Sequence, residues 1–237
     1  MSPAGKQNRY PCEQVVEIQQ EPRHHLVFEN EFVRAFAVAI GPRVRTLCHH
    51  HPNDYLLYVA GGAEIVSAAR NEEPKQLNYR DGECELLSAG LVHVVDNLGD
   101  TVFRNVVVEL LPAAGTLHRG APPVTIKGDV AITQPLEDER AAVFKIEMER
   151  GAEVQVSAPA VGVTLFPDLP NSTATVTSYQ FIDLSWLWPP GASRFSNTMP
   201  GPIQVIFFQI GSPDGVSLKR DAKPLPKDLR AQADETK

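Results

Sequence analysis

The sequence predicts an all-β protein built as two successive barrels or jelly rolls. Three observations carry that expectation. First, 20 prolines and 16 glycines punctuate the chain, and between them lie short runs rich in Val, Ile, Leu, Phe and Tyr. That is the pattern of many strands joined by turns. Second, apolar residues almost never recur at helical spacing. Third, the strand pattern stops at a Pro- and Gly-rich stretch near the middle and then begins again, giving two units of about 90 residues.

Taken in order, strands are expected at 25–29, 32–40, 43–49, 55–60, 63–69, 76–80, 83–87, 91–96 and 101–111. Turn-forming residues separate them: Glu29-Asn30, Gly61-Gly62, Arg80-Asp81-Gly82, Ala89-Gly90 and Asn97-Leu98-Gly99-Asp100. Residues 112–125 are small, Pro-rich and Gly-rich, and read as a linker. Beyond them Val143–Met148, Val154–Val156, Val161–Phe166, Ser178–Leu187 and Ile203–Ile210 read as strands, with a turn at Pro189-Pro190-Gly191. The expected domains are an N-terminal arm (1–25), a first barrel (26–113), a second barrel (114–220) and a polar tail (221–237).

At 237 residues the chain is long enough for two domains of about 100 residues. Its hydrophobic fraction of 43% and charged fraction of 22% are those of a globular protein. The formal charge is −7 and the longest basic stretch is the pair Lys219-Arg220. Phosphate binding needs clustered Lys and Arg, so no nucleic-acid partner is expected. No apolar run approaches the roughly 20 residues of a membrane helix, and the first residues lack the apolar core of a secretory signal. Cys12, Cys48 and Cys84 are sparse and form no C-x-x-C. They read as free thiols in a reducing cytoplasm.

The chemistry concentrates at His49-His50-His51. Alternate residues of a strand face one side, about 6.6 Å apart along the chain, so His49 and His51 point together and His50 points away. Two imidazoles on one strand face can converge on a metal ion. His93, in a separate strand after the turn at Gly90, is the third candidate. His24 and His25 read as a solvated pair ahead of a strand. Asn97 reads as the residue that fixes the turn after its strand.

The segment from Gly82 through Ala89-Gly90-Leu91-Val92-His93 to Asn97 resembles the second motif of the cupin superfamily: G, five residues, P-x-G, two residues, H, three residues, N. Ser88 stands where the motif has proline. His49, His51 and Gly62 match the first cupin motif, H-x-H followed by Glu and a later Gly. Tyr55 occupies the glutamate position, with Asp54 beside it. The resemblance implies two tandem double-stranded β-helix (jelly-roll) barrels, a two-domain cupin. It also implies one divalent metal ion per chain (Fe, Ni, Zn or Mn) on His49, His51 and His93. Tyr55, named as the catalytic candidate, either packs in the barrel, hydrogen-bonds to bound water or substrate, or ligates, and Asp54 is an alternative ligand.

Three neutral histidines leave the charge of a dipositive ion uncompensated, which favours anionic or chelating ligands. They also leave positions open, as in catalytic sites. By analogy with three-histidine cupins, the leading expectation is dioxygenase chemistry on a small anionic or chelating substrate. A non-redox isomerase or decarboxylase and a small-molecule sensor without turnover are the alternatives. The second half lacks these histidines. Aligning Pro42–His51 with Gly151–Ala160 sets Ala158 and Ala160 in their place, and Arg194 stands where His93 would. A metal-free second barrel is therefore expected, and a homodimer is compatible with the resemblance.

Overall fold

The computed structural model describes residues 10–117, 124–156, 160–167, 179–187 and 193–211. By contacts the chain divides into two compact units, 1–25 with 37–107 and 26–36 with 108–237. The strands up to residue 110 are β1 (Val16–Glu17), β2 (His24–Glu29), β3 (Val33–Ile40), β4 (His49–His51), β5 (Tyr55–Gly61), β6 (Glu64–Ala69), β7 (Lys75–Asn78), β8 (Cys84–Leu87), β9 (Leu91–Asn97) and β10 (Phe103–Leu110). They form two five-stranded sheets, ordered β1-β4-β9-β6-β7 and β2-β3-β10-β5-β8. Strands β4, β6 and β9 fall in one sheet and the intervening β5, β8 and β10 in the other. That alternation is the winding of a jelly roll.

The remaining strands are β11 (Val124–Lys127), β12 (Val130–Glu137), β13 (Ala141–Met148), β14 (Glu153–Val156), β15 (Ala160–Pro167), β16 (Tyr179–Leu187), β17 (Ser193–Ser196) and β18 (Ile203–Ile210). Their sheets run β11-β14-β17 and β12-β13-β18-β15-β16. The all-β expectation holds in both halves, and the architecture is that of cupin jelly-roll barrels. No helix among the described residues is long and apolar enough to cross a membrane.

Two glycines of the first motif pair have steric reasons. A Cβ at Gly62 would run into the Tyr79 carbonyl. Gly90 takes φ +88°, the left-handed region that side chains avoid, and so turns the chain into β9. Asn97 is fully buried and closes its turn as expected. Its Nδ2 donates to the carbonyls of Ile40 (2.9 Å), Gly41 (3.1 Å) and Thr101 (2.8 Å), and its Oδ1 accepts from the Gly99 N–H (2.9 Å).

Asn197 repeats the device. Its Nδ2 donates to Met148 (2.8 Å) and Gly201 (2.9 Å), and its Oδ1 accepts from the Met199 N–H (2.9 Å). Met148 ends β13 as Ile40 ends β3. The two halves thus use one plan, and the shared asparagine corrects their alignment. Four residues before Asn97 stands His93, and four before Asn197 stands Ser193, not Arg194. The pairing of Val156 with Ser193 in β14 and β17 matches that of His49 with His93 in β4 and β9. Arg194 is exposed, with Nη1 3.9 Å from Glu153. Ala158, Trp188, His118 and the tail from 221 lie outside the described residues.

Three other expectations change. Residues 43–48 are not a regular strand: Arg43 takes φ +59°, and β4 begins only at His49. β12, which contains Pro135, lies outside the expected strands. It is an edge strand, and its register shifts between Thr133 and Leu136, where a proline without N–H costs no ladder bond. Finally, Cys12 and Cys48 are joined in a disulfide, Cα atoms 5.3 Å apart, and only Cys84 is free. The expectation of three free thiols fails because β1 pairs in parallel with β4, Val16 opposite His49. That pairing lays the N-terminal segment beside Cys48, a proximity no spacing rule reveals.

Candidate metal centre

Strand alternation decides which histidines meet. On β4, His49 and His51 are 0% and 1% exposed, whereas His50 between them is partly exposed. β9 lies antiparallel beside β4 with His93 directly opposite His49. The ring centroids of His49 and His93 are 4.6 Å apart, and Nε2 of His51 is 3.3 Å from Nε2 of His93. Two imidazoles on a shared tetrahedral ion at Zn–N of about 2.05 Å keep nearly the same separation, roughly 3.3 Å. The three sequence candidates therefore come together.

A fourth imidazole joins them. His24, the first residue of β2, enters from the other sheet, its ring 4.6 Å from that of His49 and 6.0 Å from that of His51. His24, His49 and His51 each offer a nitrogen within 4.8 Å of the others. His24 is buried while His25 is exposed, so the expected solvated pair is half wrong. The signal was present in the sequence: two consecutive residues on a strand cannot both face solvent when one sheet face is core.

Three of the four rings have a neighbour on Nδ1. His24 Nδ1 donates to Oε2 of Glu21 at 2.9 Å. His49 Nδ1 donates to the Leu47 carbonyl at 2.9 Å, and His93 Nδ1 lies 3.0 Å from Ser67 Oγ. With Nδ1 protonated, the ligating lone pair of an imidazole is the one on Nε2. The buried Nε2 of His49 and Nδ1 of His51 take no hydrogen bond among the described residues. An orphaned imidazole nitrogen is costly in a core, and a metal ion would satisfy the Nε2 of His49; the Nδ1 of His51 is not the nitrogen that faces His93. The residues thus fit a metal ion.

Electrostatics favour the neutral, ligating form. Burial, and next the charge of His24, lower the pKa of His49 to about 4. Burial first and the neighbouring histidines second hold His51 and His93 well below the usual range. At Glu21 burial opposes ionisation. Hydrogen bonds from His24 and the backbone N–H groups of Arg23 and Leu47 outweigh it and hold the carboxyl at about 2. Glu21 is a site residue that sequence reasoning missed; its only signal was the Glu21-x-x-His24 spacing across a proline.

Tyr55 is 2% exposed and stacks on His51, ring centroids 4.1 Å apart and planes 20° from parallel. It faces a cavity of about 340 Å³ whose walls include Val38, Ile40, Leu57, Ile65, Leu87 and Val107. Asp54 turns elsewhere: its Oδ1 accepts the Ala89 N–H at 2.8 Å. Arg104 alternates with the cavity-lining Phe103 and Asn105, and so occupies the opposite face of β10.

Sheet winding and strand order define a cupin-type fold, and the histidine cluster is one that could hold a metal ion. No family model matches the sequence, and no curated protein matches it either. Solved structures do. AerE from Microcystis aeruginosa is 12% identical, with 80% of this chain and 98% of that one covered at a TM-score of 0.50. A cupin domain from Bordetella pertussis is 23% identical over 37% of this chain and 90% of that one, TM-score 0.35. A variant of the salicylate 1,2-dioxygenase from Pseudoaminobacter salicylatoxidans is 10% identical over 77% and 71%, TM-score 0.44. At these identities the likeness concerns the fold alone.

Proposed function

We propose that the chain is a metal-dependent enzyme of dioxygenase type, with one divalent ion in the first barrel and none in the second. The carrying observation is a cluster of buried imidazoles: His24, His49 and His51 offer nitrogens within 4.8 Å of one another, His93 stands opposite His49, the Nε2 of His49 is unsatisfied among the described residues, and His24, His51 and His93 line the cavity. His24, His49, His51 and His93 would hold the ion. His24 restores the fourth donor that Tyr55 does not obviously supply. A six-coordinate ion such as Fe(II) would keep two open positions beside four imidazoles, enough for a chelating substrate or for substrate and O₂. When bound, the metal supplies Lewis acidity and, if iron, redox chemistry. The residues around it orient the imidazoles, exclude water and stack Tyr55 against the substrate space. The substrate is a small chelating molecule.

The specific counter-observation is the same fourth imidazole. On a tetrahedral zinc ion four imidazoles would close the shell, as in structural sites, and favour the reading without turnover. Metal analysis of the purified protein, followed by O₂ uptake after Fe(II) loading with thiols, diketones and hydroxyacids, separates the two. Uptake that requires His49 supports the dioxygenase reading. Stoichiometric zinc with no uptake across the panel overturns it. Tyr55→Phe keeps the stack on His51 and removes the hydroxyl, so a fall in turnover with unchanged metal content gives the hydroxyl a part in the reaction.

A further inference from the structure

The cavity that the histidines border has a second polar end. Inward residues alternate along each strand: Tyr55 and Leu57 on β5, Glu85 and Leu87 on β8, Phe103, Asn105 and Val107 on β10. Tyr55, which stacks on His51, lies opposite Leu87; one strand repeat further, Leu57 lies opposite Glu85. That step is about 6.6–7 Å. There the Tyr79 hydroxyl donates to Oε2 of Glu85 at 3.1 Å, and the Tyr79 ring stacks on Phe103 at 5.6 Å. The next inward residue of β10, Asn105, is 3% exposed, and its Oδ1 accepts no hydrogen bond among the described residues.

The charges around this space have one sign. Among the described residues that line the cavity there is no arginine and one lysine, Lys75, which is exposed and paired with Glu72 at 3.2 Å; Glu73 and Glu85 are the other carboxylates. A carboxylate has about four acceptor sites, and Tyr79 fills one. The remaining acceptor sites of Glu85 and the Asn105 Oδ1 therefore stand in the cavity wall beside the apolar Leu57, Leu87 and Val107. An anionic tail would meet the carboxylates of Glu73 and Glu85, with Tyr79 committed to Glu85 and Lys75 to Glu72.

We infer that Glu85 and Asn105 form a specificity subsite for a hydrogen-donating, cationic group of the substrate. The substrate class is then a small molecule with a metal-chelating head and an ammonium-bearing tail about two strand positions (roughly 7–10 Å) away. This rests on reading the histidine cluster as a metal centre. It departs from the expectation of an anionic substrate: the negative or chelating character belongs to the head alone.

The test uses three probes with one chelating head and different tails: dopamine, ethylcatechol and dihydroxyphenylpropionate. Binding is measured by calorimetry to the full chain, loaded with nickel(II) under argon and also metal-free. Dopamine is expected to bind about tenfold or more tighter than ethylcatechol, as a charge-assisted hydrogen bond implies, and the propionate weakest. Glu85→Gln and, separately, Asn105→Ala should bring dopamine close to ethylcatechol while leaving ethylcatechol itself unchanged. Should one variant fail to fold, as judged by circular dichroism, the other still decides. Equal affinity for the three tails, or preference for the propionate, overturns the subsite. A tail order kept by both variants overturns it too. Affinity that is the same with and without nickel overturns the metal reading instead, and absence of binding by every probe overturns both.

Discussion

Replacing Glu21 by glutamine should weaken metal binding without touching any ligand. The Glu21 side chain is 0% exposed and accepts from His24 Nδ1 at 2.9 Å, the Arg23 N–H at 2.7 Å, Arg23 Nη1 at 3.2 Å and the Leu47 N–H at 3.2 Å. A carboxylate behind an imidazole fixes its tautomer and makes the ligating nitrogen more basic. Glutamine keeps one oxygen and the shape, but it loses the charge, and its amide nitrogen cannot accept from any of the four donors. Loss of such a partner costs about 10- to 100-fold in metal affinity, which is about 1.4–2.7 kcal/mol. A chelator-competition titration near neutral pH measures it, with the exposed His25→Ala as a control that should change nothing. Thermal melts of the metal-free proteins separate folding from binding. An E21Q protein that folds and binds metal within twofold of the native affinity refutes the assignment of His24 as a ligand.

The depressed pKa of Glu21 also predicts acid sensitivity. Its folded value is about 2 against an ordinary 4.5, so its contribution is complete above 4.5 and is lost as pH falls toward 2. The amount is on the order of 3 kcal/mol. Urea melts of the metal-free protein should therefore show a steeper loss across that window than melts of E21Q, and parallel curves would contradict the stated hydrogen bonds. Reduction of the Cys12–Cys48 bond, which spans 36 residues, should destabilise the first unit by about 4 kcal/mol through loop entropy; equal melting temperatures with and without reductant would argue against the bond. Asn97→Ala and Asn197→Ala each strip several buried backbone groups of their partner and should each cost roughly 2–4 kcal/mol. A cost at one site alone would undercut the shared plan of the two halves.

Most of the fold was legible because strand alternation and turn chemistry are local. β3, β5, β6, β9, β10, β13 and β18 lie where apolar runs bounded by turn residues put them. β12 and β17 were not legible, because Pro135 and the short Ser193–Ser196 run resemble turns until a neighbouring strand pairs with them. The histidines followed the same division. His49 and His51 share a strand face by the two-residue period alone, and His93 was tied to them by the motif resemblance. His24 sits 25 residues before His49 and belongs to the other sheet. Only the closing of the two sheets brings the rings together, and that closure is set by side-chain volumes across a core rather than by any spacing. The same holds for Cys12 and Cys48, which meet through a parallel pairing of two residues.

The place of negative charge is what the four-histidine arrangement alters. Where cupins of the resembled type have a glutamate among the ligands, this chain has Tyr55, which stacks on His51. A carboxylate is nonetheless present, one hydrogen bond further out: Glu21 acts on the cluster through His24. A dipositive ion held this way would meet four neutral nitrogens and feel the anion only through a polarised imidazole, so more of its charge would be left for the substrate head. At the far end of the cavity Glu85 and the Asn105 Oδ1 offer acceptors. One cavity would then attract opposite characters at its two ends, a chelating or anionic head at the histidines and a donating tail about one strand repeat or more away. That polarity orients a substrate before any chemistry. It also explains how an acidic barrel lining and a cation site can coexist within a few residues of one another without neutralising each other: the apolar rows of Leu57, Leu87 and Val107 line the space between them.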